Sequence, residues 1–139
     1  MTRTARCSCG KLSVEATGEP AVVIACHCTE CQRRTGSVFG VGAYFPKEQV
    51  KISGPSKTYT RPGAEGREMR NSFCPECGTN LYWESDMFPT AYGIAVGAFL
   101  DPAFPAPARS VWEKNRHHWI HIGAEIPGHI QGRASKASR

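Results

Sequence analysis

The chain has 139 residues, 40% of them hydrophobic, which is enough for one compact core and about one average domain. Its 24 glycines and prolines point to many turns and short elements, below the level that marks a disordered or collagen-like chain. The formal charge of +5 falls to +2 once Arg133, Lys136 and Arg139 are set aside, which disfavours a nucleic-acid binder with a basic patch. The longest purely apolar run, Ala21–Cys26, is far short of the roughly 20 residues that a membrane-spanning helix needs. Residues 1–6 are polar, not the apolar core of an export signal, so a reducing, cytoplasmic setting is expected.

In chain order, Leu12, Val14 and Ala16 alternate with polar residues as in a half-buried strand, and Ala21–Cys26 reads as a buried one. Thr29–Arg34 is the best helical candidate, with Gly36 as its C-terminal stop. Strands are expected at Val38–Phe45, Val50–Ser53, Lys57–Thr60, Met69–Phe73, Asn80–Glu84 and Ala91–Phe99. Turn signals such as Ser53-Gly54-Pro55 and Arg61-Pro62-Gly63 separate them. The proline-rich stretch 101–108 is expected as an extended loop. No window shows a sustained 3.6-residue apolar period. The expected class is therefore all-β, with one domain over residues 1–127 and a basic, frayed tail over 128–139.

Seven cysteines carry the chemistry: Cys7, Cys9, Cys26, Cys28, Cys31, Cys74 and Cys77. An odd count without an export signal argues against a disulfide framework. Their spacings, C-x-C, C-x-C-x-x-C and C-x-x-C, let neighbouring thiolates reach one zinc ion at about 2.3 Å. Structural zinc takes four protein ligands, whereas catalytic zinc keeps three and an open place. Cys7-Ser8-Cys9-Gly10 and Cys74-Pro75-Glu76-Cys77-Gly78 each end in glycine and each form half of a tetrahedral site, across 64 intervening residues. Cys26, Cys28 and Cys31 form a three-thiolate set by themselves. The division four plus three predicts two zinc ions, one structural and one more weakly held. Other readings stay open: inert buried thiols, a dithiol redox pair at 74–77, or a second structural zinc with His27 or a distant histidine as its fourth ligand.

Around the three-cysteine set, His27 and Glu30 are candidates for proton transfer. In extended backbone His27 would point away from the face that Cys26 and Cys28 share. Arg33 and Arg34 are candidates to fork the carboxylates of a substrate. Gly36 and Ser37 offer small groups where a ligand could approach closely. His117, His118 and His121 would reach the set only by folding back onto it.

The stretches CSCG (7–10), CHCTECQRRTGSVFG (26–40) and SFCPECGTNLYW (72–83), with the 97–102 segment and Lys114, Arg116 and Trp119, resemble the glutathione-dependent formaldehyde-activating enzyme family. That family also takes in centromere protein V-like domains. The resemblance covers roughly residues 5–120. It implies a β-tent fold stapled by zinc, a structural zinc on Cys7, Cys9, Cys74 and Cys77, and a catalytic zinc on Cys26, Cys28 and Cys31. It further implies a carbon–sulfur lyase that handles the adduct of glutathione and formaldehyde, S-hydroxymethylglutathione, with a small-molecule thiol as partner. The competing reading is a non-enzymatic, zinc-stabilised binding module, with nucleic acid as its natural partner.

Overall fold

Short runs of β-branched and aromatic residues, cut by glycine and proline, give a mostly β chain. The computed structural model describes residues 1–139, the side chain of Ala64 apart. It contains ten strands: β1 (Thr2–Arg6), β2 (Ser13–Thr17), β3 (Val22–Cys26), β4 (Gly40–Pro46), β5 (Val50–Ser53), β6 (Lys57–Pro62), β7 (Glu68–Phe73), β8 (Asn80–Ser85), β9 (Ala91–Ala95) and β10 (Arg109–Val111). A single α-helix, α1 (Thr29–Thr35), and four short 3-10 turns complete the described elements. No helix among them is long and apolar enough to cross a membrane.

The chain divides into two units. The first comprises Met1–Ala21 and Ala43–Ala103. In it β1, β2 and β5 form an antiparallel sheet in the order β1-β2-β5, with Ala5 facing Val14 and Val14 facing Ile52. Strands β6, β7 and β8 run antiparallel to one another, and β9 pairs with β8 through Trp83 and Gly93. The alternation noted at 12–16 is what buries Leu12, Val14 and Ala16, while Glu15 and Thr17 face solvent. Phe45, Leu81 and Ile94 are fully buried with them. Each such side chain stabilises the unit by about 1.5–3 kcal/mol relative to exposure. Trp83 donates its indole N–H to the Tyr44 hydroxyl at 3.2 Å, so the buried ring leaves no unpaired donor.

The second unit comprises Val22–Gly42 and Phe104–Arg139. Its framework is the parallel pair β3 and β10, with Ser110 opposite Ala25 and Val111 opposite Cys26. Val23, Ala25, His27, Ser110, Val111 and Ile126 are buried in it. The 128–139 segment, expected to fray, is hydrogen-bonded here. Gly128 bridges Ser110, His129 bridges Ala137, and the amide of Trp112 donates to the Gln131 carbonyl at 2.8 Å.

Several expected boundaries shift. The expected strand at 91–99 ends at Ala95, because Val96–Phe99 closes into a 3-10 turn with Leu100 left-handed at φ 53°. Strands β1 and β10 were not expected. Thr2–Arg6 is mixed and charged, and Arg109–Val111 is three residues long, so neither carries a pattern until its partner is known.

Candidate metal centres

The first unit gathers four cysteines. After β1 the chain turns through Cys7–Gly10, and Gly10, at φ 80°, returns its amide to the Cys7 carbonyl at 3.0 Å. After β7 the turn Cys74–Gly78 repeats the device. Gly78, at φ 78°, donates to the Cys74 carbonyl at 2.8 Å. Thr79 ties the two turns together, its hydroxyl accepting the Ser8 amide at 3.1 Å and meeting the Ser8 hydroxyl at 3.2 Å. The Cys7–Cys9 and Cys9–Cys74 sulfur separations are both 3.6 Å, and all four sulfurs lie within 4.8 Å of one another. Four sulfurs at 2.3 Å from one tetrahedral ion would be about 3.8 Å apart, so the set fits zinc without rearranging the chain. Cys7 and Cys74 are buried, while Cys9 and Cys77 are exposed. The Thr79 hydroxyl and amide hold the Cys77 thiol down to about 5, in the direction a metal-binding thiolate needs.

The second unit gathers the other three. Cys26 ends β3, and Cys28 caps α1, its sulfur accepting the Cys31 amide at 3.3 Å. One helical turn then brings Cys31 back beside it. The three sulfurs lie within 4.8 Å of one another, all half-buried. Among the described residues no fourth His, Cys, Asp or Glu joins this group. Hydrogen bonds from Cys26 and Cys31 push the Cys28 thiol down to about 2, and the same contacts drive Cys26 upward.

The residues around this set separate. His27 is fully buried and turned from the sulfurs, with Nε2 2.9 Å from the Ser110 hydroxyl and its ring centroid 5.7 Å from that of Phe39. Burial depresses its pKa, because the charged imidazolium is disfavoured away from water. Glu30 stands at the surface, paired with Arg33 at 3.3 Å. The Arg33 side chain is 77% exposed. Arg34 lies along the chain toward Gly40, where an added Cβ would meet its Nη2 at 2.6 Å, and its charge favours the Cys31 thiolate. Gly36 closes α1 at φ 73°, and the Ser37 amide donates to the Thr35 hydroxyl at 3.0 Å.

Of the late histidines, His117 reaches α1, with Nε2 3.3 Å from the Gln32 side-chain oxygen, but none joins the sulfurs. Gln32 and Ser110 support the site without any sequence signal. Gln32 also donates to the His27 carbonyl at 3.0 Å, and its partners lie either beside it or 85 residues away.

Short strands with one four-cysteine and one three-cysteine cluster define a small β protein built around two thiolate sites. The family model described as glutathione-dependent formaldehyde-activating enzyme matches residues 2–115, and the chain belongs to that family. A Colletotrichum graminicola protein, provisionally named glutathione-dependent formaldehyde-activating enzyme, is 35% identical over 81 residues, covering 57% of this chain and 42% of the relative. A Fusarium vanettenii protein of the same provisional name is 35% identical over 80 residues, or 55% of this chain and 42% of the relative. The chain thus aligns with less than half the length of these relatives. A crystal structure of a Rhodobacter sphaeroides protein shares the fold, with a TM-score of 0.54 and 21% identity over 68% of this chain and 85% of that one.

Proposed function

We propose that the chain is a zinc-dependent carbon–sulfur lyase acting on the adduct of a small thiol and an aldehyde, with glutathione and formaldehyde as the leading pair. The observation that carries this reading is the three-cysteine cluster, whose sulfurs converge at the end of β3 with no fourth ligand among the described residues. Cys7, Cys9, Cys74 and Cys77 would hold a structural zinc, and Cys26, Cys28 and Cys31 a second one. A zinc ion on three thiolates supplies an open position where a substrate thiol is favoured as its thiolate.

The chain's own residues then orient and move protons. In the synthetic direction the thiol sulfur forms a bond to the carbonyl carbon, and the thiol proton ends on the former carbonyl oxygen. The lyase direction reverses both changes. Glu30 is the better placed proton carrier, because its carboxylate reaches solvent at the start of α1. His27 holds the ligand loop instead, through Ser110 and Phe39. Gly36 and Ser37 leave room beside the loop, and Arg34 adds positive charge near Cys31. The main gain is orientation, since holding thiol and carbonyl together converts a bimolecular step into an intramolecular one.

The test is zinc per chain by native mass spectrometry, joined to NMR detection of S-hydroxymethylglutathione exchange. Two zinc ions are expected, with exchange abolished in Cys31→Ser while one zinc remains. One zinc in the parent chain, or unchanged exchange in Cys31→Ser, would overturn the proposal.

A further inference from the structure

The second unit carries a recess of about 320 Å3, lined by Glu113, Arg116, His121 and Arg139, with residues 122–124 completing its wall. That volume lies at the small end of ligand cavities, which run from about 300 to 1,000 Å3. The acid that lines it is already engaged. Glu113 accepts from the Ser138 hydroxyl, from Arg139 Nε at 3.2 Å and from Arg139 Nη2 at 3.4 Å. Arg116 is half-buried and makes no ion pair among the described residues. Its guanidinium donates to the Ile120 carbonyl at 2.5 Å, which leaves donors of the fork unused. The Glu125 carboxylate stands beside Gly123 in the wall, but the Arg116 guanidinium keeps unused donors, and a half-buried cation is stabilised by an anionic partner.

Two hydrogen bonds within the unit tie chain neighbours of the recess to the three-cysteine loop. Arg116 precedes His117, which meets Gln32, the residue after Cys31. Ser110, three residues before Glu113 in the chain, meets His27 between Cys26 and Cys28.

We infer that the recess binds the carboxylate of a small organic acid, with Arg116 supplying the fork and Arg139 and His121 the surrounding positive charge. Resting on the function proposed above, that acid is the carboxylate end of the thiol substrate. Recognition of this end then falls on residues 113–139, and not on Arg33, which is exposed and paired with Glu30. A free dicarboxylate is the other source of the same chemistry.

Calorimetric titration of the full zinc-loaded chain with S-methylglutathione and with succinate separates the two. S-methylglutathione keeps both carboxylates but has no thiol to react. It is expected to bind at least tenfold more weakly to Arg116→Gln, with partial recovery in Arg116→Lys and no change in Arg33→Gln. The exposed His121→Gln, which leaves the fold undisturbed, should weaken binding about threefold. Binding of succinate alone, with the same dependence on Arg116, supports the recess and makes a free dicarboxylate its ligand. Failure of both probes to bind, or binding unchanged in both Arg116→Gln and His121→Gln, overturns the inference. Neither probe undergoes carbon–sulfur chemistry, so absent adduct exchange would sink the proposed reaction and leave this result standing.

Discussion

His27 illustrates how neighbours decide the role of a residue. Its position between two cysteines marks it as a ligand or proton carrier, yet its ring is sealed against Phe39 and Ser110. His27→Ala removes a buried ring and its hydrogen bond with the Ser110 hydroxyl, so a loss of about 2–4 kcal/mol is expected in chemical denaturation. A fall in kcat with unchanged stability would instead mean that the imidazole carries protons. Glu113 makes a second residue-scale prediction. Burial alone would raise its pKa, but hydrogen bonds from Ser138, Arg139 and Ser110 bring it below the ordinary value. A carboxyl depressed on folding stabilises the protein above its unfolded pKa, and that contribution fades as pH falls through the folded value. Denaturation midpoints should therefore drop below about pH 4.5, and Glu113→Gln should flatten that part of the profile.

At the scale of the element, α1 is too short to persist by its own propensity and is held at both ends. Cys28 caps its start and Gly36 its end. An added Cβ at Gly36 meets nothing within 4 Å, so the cost of Gly36→Ala is backbone strain at φ 73° alone. Thermal unfolding should show a loss of about 1 kcal/mol, with Gly36→Asn tolerated better. Gly93 is the opposite case. Its φ is ordinary, but a Cβ would run into the Trp83 indole facing it on β8. Gly93→Ala should cost about 1–3 kcal/mol by displacing Trp83 from Tyr44, visible as a change in tryptophan fluorescence.

For the whole molecule, each cysteine cluster lies wholly within one unit, the four-cysteine set in the first and the three-cysteine set in the second. A closed metal site absent from the unfolded chain adds its binding energy to folding, on the order of 10 kcal/mol. Chelation or Cys74→Ser should therefore abolish cooperative melting of the first unit by circular dichroism. Cys31→Ser should remove metal with a much smaller change in Tm, since three ligands hold less tightly than four. Equal losses from both variants would mean that the three-cysteine cluster is also structural.

The mostly β class, the short helix and both cysteine groupings were legible because each rests on local spacing. Alternation buries Val14 and Ala16, glycine follows each cysteine pair, and Cys28 and Cys31 are one helical turn apart. Strand β10 was not legible, because three residues carry no period and their pairing with β3 is made across more than 80 positions. The same separation hides Ser110 behind His27 and His117 behind Gln32. Spacing along the chain thus determined which thiols gather. Which polar groups are buried beside them was decided by tertiary contacts alone, because burial and hydrogen-bond satisfaction depend there on residues remote in sequence.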